Sequence, residues 1–433
     1  MIYAEKLSGL SPRRRRAILA RSTDDLTGTR ETTLAILERL KADPEKELLR
    51  EYGHLKENLS LADFRVGPGE LEEARSATVP AVLSALRAAM ANIESFHRAQ
   101  LGRPLEMTEV APGILAGRVT RPLEKVGVYV PGGRAAYPSS ALMNIVPARV
   151  AGCGHIAAAT PPGPGLRARG EILAACALAG ATEIYKLGGA WAVGALAFGL
   201  GGLPRVDKIV GPGSSWVTEA KMAVFGQVDI DQPAGPSEGF IIADGTAQAA
   251  HLAWDFMSQL EHDPQASAVL VSTCSALASE VAALVRAEAP RLDRAGIVGQ
   301  SLSNAAILEA QDLGEAFDFA NEYAPEHLQL AIAEALSHLG RVRNAGSVFL
   351  GPWSPIPAGD YASGPNHVLP TGGSARAFSG LSADSFLKKI SFQQLSFQAM
   401  SGLAPTVSVL ARAEGLPAHA RCLEVRLAGG SED

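Results

Sequence analysis

Four short polar segments of this chain carry side chains able to do chemistry. In Gln259-Leu260-Glu261-His262 an amide and an imidazole stand three residues apart, just before Pro264. That spacing puts both on one face at the last turn of an expected helix. They can share a ligand there, or His262 can cap the helix C-terminus as a cation. In Tyr323-Ala324-Pro325-Glu326-His327 a carboxylate adjoins an imidazole after a proline, and proline biases its predecessor towards extended backbone. The pair thus follows a fixed turn and is able to divide two proton transfers, unless it merely opens a helix with a surface histidine. Asp360 lies in Pro357-Ala358-Gly359-Asp360-Tyr361, followed by Ser363-Gly364-Pro365-Asn366-His367, which reads as one long turn-rich loop. Glu414-Gly415-Leu416-Pro417-Ala418-His419 adds a carboxylate and an imidazole in what is otherwise a surface turn. The Gln, His and Asp side chains of these segments offer nitrogen and oxygen donors without sulfur, a set suited to Zn²⁺ or a similar divalent ion.

Other motifs fail on context. Gly152-Cys153-Gly154-His155-Ile156-Ala157 has the letters of a dinucleotide fingerprint, but it follows an expected helix (140–151) and enters a strand, the reverse of what pyrophosphate binding needs. Gly235-Pro236-Ser237-Glu238-Gly239 matches a nucleophile elbow, yet a strand rather than a helix follows it, so Ser237 reads as a loop hydroxyl near a ligand. No Gly-Lys dipeptide occurs, which excludes a phosphate-binding P-loop. His54, His97 and His338 lie in charged helical stretches and His251 precedes Asp255 by four, so these four read as structural.

The elements that must position these groups are legible in the texture of the chain. Of 433 residues, 47% are hydrophobic and 19% charged, below the roughly 25% charged of an average domain, so a large core can form. A net charge of −6 offers no basic field for nucleic acid. Cys153, Cys176, Cys274 and Cys422 stand far apart without a C-x-x-C pair, which fits reduced cytoplasm. The N-terminus lacks an apolar signal region, the Arg13 to Arg16 run reads as a solvated helix face, and no uninterrupted apolar run of about 18 residues suggests a membrane span.

Residues 1 to about 100 carry helical spacing, for example Leu34, Leu37 and Leu40. From Val126 onward, short apolar runs end in glycine or proline turns and lead into Ala-rich helices, the signature of parallel α/β structure. The fold class expected is α/β, with two Rossmann-like doubly wound lobes and helical N- and C-terminal segments. We divide the chain into an N-terminal helical segment 1–25, a first lobe 26–128 with 238–381 carrying the polar groups, a second lobe 129–237, and a C-terminal helical segment 382–433. In open sheets of this kind, ligands gather outside the carboxyl ends of the strands.

Taken in order, several motifs resemble the histidinol dehydrogenase family over nearly the whole chain. They are Val126-Gly127-Val128-Tyr129-Val130-Pro131-Gly132-Gly133, Val206-Asp207-Lys208-Ile209-Val210-Gly211-Pro212-Gly213 and Asp231-Gln232-Pro233-Ala234-Gly235-Pro236-Ser237-Glu238. Joining them are the Gln259, Tyr323 and Glu414 segments above, Gly359-Asp360-Tyr361 and Gly364-Pro365-Asn366-His367-Val368-Leu369-Pro370. The resemblance implies oxidation of L-histidinol to L-histidine through histidinal with two NAD⁺, one zinc per subunit, and a homodimer that exchanges its terminal segments. It also implies zinc held by Gln259, His262, Asp360 and His419, with His327 as base and Glu326 activating water. Ser237, His367 and Glu414 would join these groups around the substrate.

The cofactor side departs from the family. Tyr129 matches a residue touching NAD, but Trp191 stands where glutamine is usual and Ser214 where asparagine is usual. Trp191 can stack on a cofactor ring or simply pack at a helix start. Retention of Asp360-Tyr361 and Glu414 favours histidinol over another polar alcohol, such as a sulfonated diol.

Overall fold

The computed structural model describes residues 2–21, 27–132, 136–199, 202–232 and 235–429; the motif residues Gly133, Pro233 and Ala234 and the expected boundary at 25/26 lie outside them. The chain forms two compact units, Met1–Gln100 with Leu123–Phe386, and Leu101–Pro122 with Leu387–Asp433. In chain order the strands are β1 (Ala4–Lys6), β2 (Leu105–Ala111), β3 (Ile114–Pro122), β4 (Lys125–Tyr129), β5 (His155–Thr160), β6 (Glu183–Lys186), β7 (Lys208–Val210) and β8 (Asp229–Ile230). They continue with β9 (Glu238–Ala243), β10 (Ser267–Ser272), β11 (Ala306–Glu309), β12 (His327–Ala331), β13 (Ser347–Leu350) and β14 (Leu387–Leu395).

The first unit holds two wholly parallel sheets, in the order β6-β5-β4-β7-β8 and β1-β11-β10-β9-β12-β13. Their strands read as continuous apolar runs, such as Phe240-Ile241-Ile242-Ala243, because helices cover both faces. Alternate residues serve opposite faces: Val126, Val128, Ile156 and Ala158 enter one core, while Tyr129, Ala157 and Ala159 enter another. The two expected lobes are therefore present, and among the described residues no helix is long and apolar enough to cross a membrane.

The structure differs from the expected division in where the early helices go. Ile36, Leu37, Leu40 and Leu48 pack with Ala157, Leu187 and Leu196, and Leu86, Ala89 and Ile93 pack with Val126, Val128 and Ile156. Residues 27–99 thus cover the five-stranded sheet rather than the six-stranded one, and β4 belongs to that sheet from Lys125. Both terminal segments are helical as expected, and each also contributes a strand. β1 joins the edge of the six-stranded sheet beside β11. In the second unit β14 pairs antiparallel with β3, from Leu387↔Pro122 to Leu395↔Ile114, and the helices Phe397–Ala413 and Pro417–Gly429 follow. Most of β14 is exposed, so strand pairing rather than a buried stripe makes it extended.

Two buried ion clusters fix loops of the five-stranded sheet. Lys221 and Asp231 form a fully buried pair; the Lys221 ammonium donates to the Gly211 carbonyl at 3.0 Å, and Asp231 accepts from the Gly211 N–H at 2.7 Å. Gly211 has φ +118°, and a Cβ there would lie 2.1 Å from the Tyr129 carbonyl oxygen, so only glycine fits this turn. The second cluster centres on Glu47, 3% exposed, which accepts from Arg39, Arg50 and the Trp191 indole N–H at 3.1 Å. Burial pushes the Glu47 carboxyl up, but the bonds from Arg50, Arg39 and Trp191 outweigh it and bring it down to about 2. A carboxyl depressed on folding stabilises above its unfolded pKa and loses that contribution as the pH falls towards the folded value. Because Arg39 and Arg50 are half-exposed, Glu47→Gln should cost only about 2 kcal/mol at pH 7, with the gap closing between pH 4.5 and 2. Urea unfolding followed by tryptophan fluorescence measures this, and equal midpoints at pH 7 would contradict it.

Candidate active site

The chain leaves the five-stranded sheet at the carboxyl end of β8 and enters the six-stranded sheet at the amino end of β9. Glu238 is the first residue of β9 and His327 the first of β12, and these neighbouring parallel strands are in register at His327↔Gly239. The Glu238 N–H donates to Glu326 Oε2 at 2.7 Å, and the Glu238 carbonyl accepts from His327 Nδ1 at 3.1 Å. A carbonyl oxygen only accepts, so Nδ1 carries a hydrogen and Nε2 is the nitrogen that titrates. Nε2 lies 3.3 Å from Asp360 Oδ1. Burial alone would lower the His327 pKa, but Glu326 and Asp360 outweigh it and hold it well above the usual imidazole range. Burial raises the Asp360 carboxyl, and the His327 contact reverses this to leave it lowered.

This position corrects an expectation. In the six-stranded sheet the polar groups gather at the amino ends of the strands, not the carboxyl ends. Here the side chains of Glu326 and His327 bond the N–H and the carbonyl of the first residue of β9.

The local elements also differ from the sequence reading. Asp360 sits in a short helix, Ile356–Tyr361, with Pro357 in its first turn, rather than in a loop. Gln259 is in the last turn of the helix Ala249–Leu260, whereas His262 lies in the turn beyond it, so the two do not share one helical face. Gln259 is 1% exposed with neither amide atom hydrogen-bonded, and Gly239 beside it would bring a Cβ within 2.5 Å of its Cγ. His367 Nδ1 donates to the Asp360 carbonyl at 2.7 Å, and Nε2 lies 3.3 Å from the Ser140 hydroxyl. Burial lowers the His367 pKa despite Asp360 nearby, so a neutral ring occupied at both nitrogens is favoured. Ser140 opens the helix Pro138–Ala151 that follows β4, which ties the two lobes together at this point. Ser237 directly precedes Glu238, and its carbonyl accepts from the Ser267 N–H at 3.0 Å.

Glu326, His327, Asp360 and His367 are thus brought into one buried cluster, with His262 close enough to help lower Asp360. Glu414 ends the helix Phe397–Ala413 and His419 lies in Pro417–Gly429, both exposed and both in the second unit. Among the described residues no three His, Cys, Asp or Glu side chains stand together as a ready metal cluster. The orphaned Gln259 carboxamide, with His262 and Asp360, nevertheless fits the donor chemistry of a borderline divalent ion.

On the carboxyl edge of the five-stranded sheet, Tyr129 ends β4, and its hydroxyl accepts from the Gly189 N–H at 3.4 Å. Trp191 is packed: its indole donates to Glu47, and its ring stands edge-on to Tyr52 at 6.3 Å. Packing, not a stacking platform, is what this structure gives Trp191. Ser214 is the exposed N-cap of the helix Ser215–Val224, without a side-chain capping bond. Sequence reasoning missed two polar residues at this edge, Thr160 at the end of β5 and Gln232 after β8. The Thr160 hydroxyl and the Gln232 amide nitrogen are buried without partners. Such orphaned groups fit a polar ligand on that edge. Thr160 carries one sequence signal, a polar residue ending an apolar run, and Gln232, after Asp229-Ile230-Asp231, carries none of that kind.

The chain matches the family model described as histidinol dehydrogenase over residues 19–427. It is 46% identical over 428 residues to the histidinol dehydrogenase of Methanosarcina mazei, covering 98% of this chain and 97% of that protein. It is 50% identical over 370 residues to the histidinol dehydrogenase of Moorella thermoacetica, covering 85% and 87%. The crystal structure of histidinol dehydrogenase from Elizabethkingia anophelis superposes with a TM-score of 0.91 at 36% identity, covering 97% of this chain and 96% of that one. The family motifs and the buried Glu326–His327–Asp360 cluster therefore belong together: this chain is a member of the histidinol dehydrogenase family.

Proposed function

We propose that this chain oxidises L-histidinol to L-histidine through histidinal, with zinc and NAD⁺. The observation that carries the reading is the Glu238 peptide group holding Glu326 and His327 together, with His327 Nε2 turned to Asp360. The overall change consumes one water and two NAD⁺ and yields histidine, two NADH and three protons. Zinc, when bound by Gln259, His262, Asp360 and His419, supplies a fixed positive centre for the substrate's imidazole and amine. NAD⁺, when bound on the carboxyl edge that bears Tyr129, Ser214, Thr160 and Gln232, supplies the hydride acceptor.

The chain's own residues do the rest. His327 Nε2 takes the hydroxyl proton as the alcohol becomes histidinal, its ring held against rotation by the Glu238 carbonyl. Glu326 then polarises the water that attacks histidinal, with Oε2 fixed by the Glu238 N–H. Ser237 and the Glu414 carboxylate serve the substrate's polar and cationic groups, while His367 holds the Asp360 segment in place. His419 and Glu414 belong to the second unit, and the homodimer with exchanged terminal segments is the assembly in which they complete the site. A cytoplasmic location goes with this reading.

The test is nicotinamide reduction by zinc-loaded protein given L-histidinol and NAD⁺. Two NADH per histidinol consumed are expected; bound zinc with no NADH would overturn the reading. Asp360→Ala should lose zinc and activity together, whereas Glu326→Gln should keep its zinc and slow histidinal oxidation by about 100-fold or more. Metal analysis and single-turnover kinetics separate the two effects, and undiminished zinc in Asp360→Ala would refute that ligand assignment.

A further inference from the structure

Glu238 grips Glu326 and His327 with its backbone, so whatever fixes Glu238 also fixes them. Its side chain is buried as well. One carboxylate oxygen, Oε1, accepts from the Gly372 N–H at 2.6 Å and lies 3.2 Å from Arg21 Nε. Arg21 comes from the far end of the sequence, immediately after the helix Pro12–Ala20. Its guanidinium is buried, donates from Nη2 to the Tyr323 and Ala324 carbonyls, and stacks on the Tyr323 ring at 3.8 Å.

The residues Arg21 touches are those that deliver the reacting pair. Tyr323 and Ala324 form the turn leading through Pro325 to Glu326, and Ala324 sits at φ +52°. The Tyr323 hydroxyl is in turn bonded to Ser267 at 2.9 Å, at the start of β10. Gly373 is packed so closely on Arg21 that a Cβ there would lie 2.9 Å from a guanidinium nitrogen. Arg21 itself holds φ +59°, a conformation that a non-glycine residue keeps only where its surroundings over-determine it. One cation thus braces both sides of the site: the start of β9 through Glu238, and the turn into β12 through two carbonyls.

We infer that Arg21 and Glu238 are positioning residues for the histidinol reaction, setting the placement of Glu326 and His327 without touching substrate. The inference rests on the function proposed above. Without Arg21, Glu238 becomes a buried acid facing Glu326 with no counter-charge, and the turn at 323–325 loses its anchor. A displacement of about 1 Å at a reacting group can cost about 100-fold in rate. The effect should fall on kcat, because the groups that bind substrate and metal are left in place.

The experiment compares zinc-loaded full-length wild type, Arg21→Met, Arg21→Lys and Glu238→Gln. It reads kcat, KM for L-histidinol, zinc content and near-ultraviolet circular dichroism. Expected are a kcat lower by about 30- to 100-fold in Arg21→Met and Glu238→Gln, KM within about twofold, full zinc content, and in Arg21→Lys, which restores the charge but not the planar fork, a kcat between those of Arg21→Met and wild type. Should Arg21→Met fail to fold, Glu238→Gln, which keeps the shape of the side chain, decides the matter by the same criteria. A folded variant with wild-type kcat, or one in which the loss falls on KM, would overturn the inference while leaving the proposed function intact. A wild-type protein that forms no NADH from histidinol refutes both.

Discussion

The site depends on two peptide groups at the amino end of one strand. The Glu238 N–H and carbonyl are each claimed by a side chain from β12's leading edge, so the relative placement of acid and imidazole is set by the β9–β12 register. That register rests on apolar runs, Phe240-Ile241-Ile242 against Leu328-Gln329-Leu330, whose side chains enter helix-covered cores on both faces. A slip of one residue would exchange the faces and part His327 from the Glu238 carbonyl. The geometry of the candidate site is thus a consequence of core packing several residues away. Even Gln329, a polar interruption in β12, is engaged, donating to Asp255 at 2.7 Å.

The cost of this arrangement is electrostatic. Glu326 and Asp360 flank a single buried imidazole, the Glu238 carboxylate is buried near Glu326, and each carboxylate has lost most of its hydration. Burial and the Glu326 charge push the Glu238 carboxyl up to about 7, although Arg21 opposes them. His327 is drawn towards its cationic form for the same reason, since an imidazolium between two carboxylates lowers the energy of all three.

Much of the fold was legible because the α/β signal is repeated: an apolar run, a glycine or proline turn, then a helix. β4, β5, β6 and β9 all follow that rule. β14 did not, because Leu387-Lys388-Lys389-Ile390-Ser391-Phe392 alternates weakly and owes its extension to β3. The Asp360 helix read as a loop because Pro357 and Gly359 are turn formers, and a six-residue helix offers no period to detect. The residues of the candidate site were legible as motifs, but their place at the amino edge of a sheet was not, since nothing local encodes which peptide groups a side chain reaches. Arg21 was invisible for the same reason. It acts across about 300 residues of chain, in a stretch whose composition suggests a solvated helix.

Three buried or half-buried ionic clusters, Arg21–Glu238, Lys221–Asp231 and Glu47 with its arginines, all end on backbone or on a ring next to the candidate site. Removing charges from water roughly cancels what their pairing returns, so the fully buried pairs Arg21–Glu238 and Lys221–Asp231 add little net stability. What they add is direction. Lys221 and Asp231 hold both the N–H and the carbonyl of Gly211, and Arg21 holds two successive carbonyls before Glu326. A hydrophobic contact is non-directional and would let those turns rock, whereas an ion pair ending in hydrogen bonds fixes an orientation. Glu47 shows the same device used against the family pattern. By taking the Trp191 indole N–H it holds a residue at the carboxyl edge of the five-stranded sheet against the core.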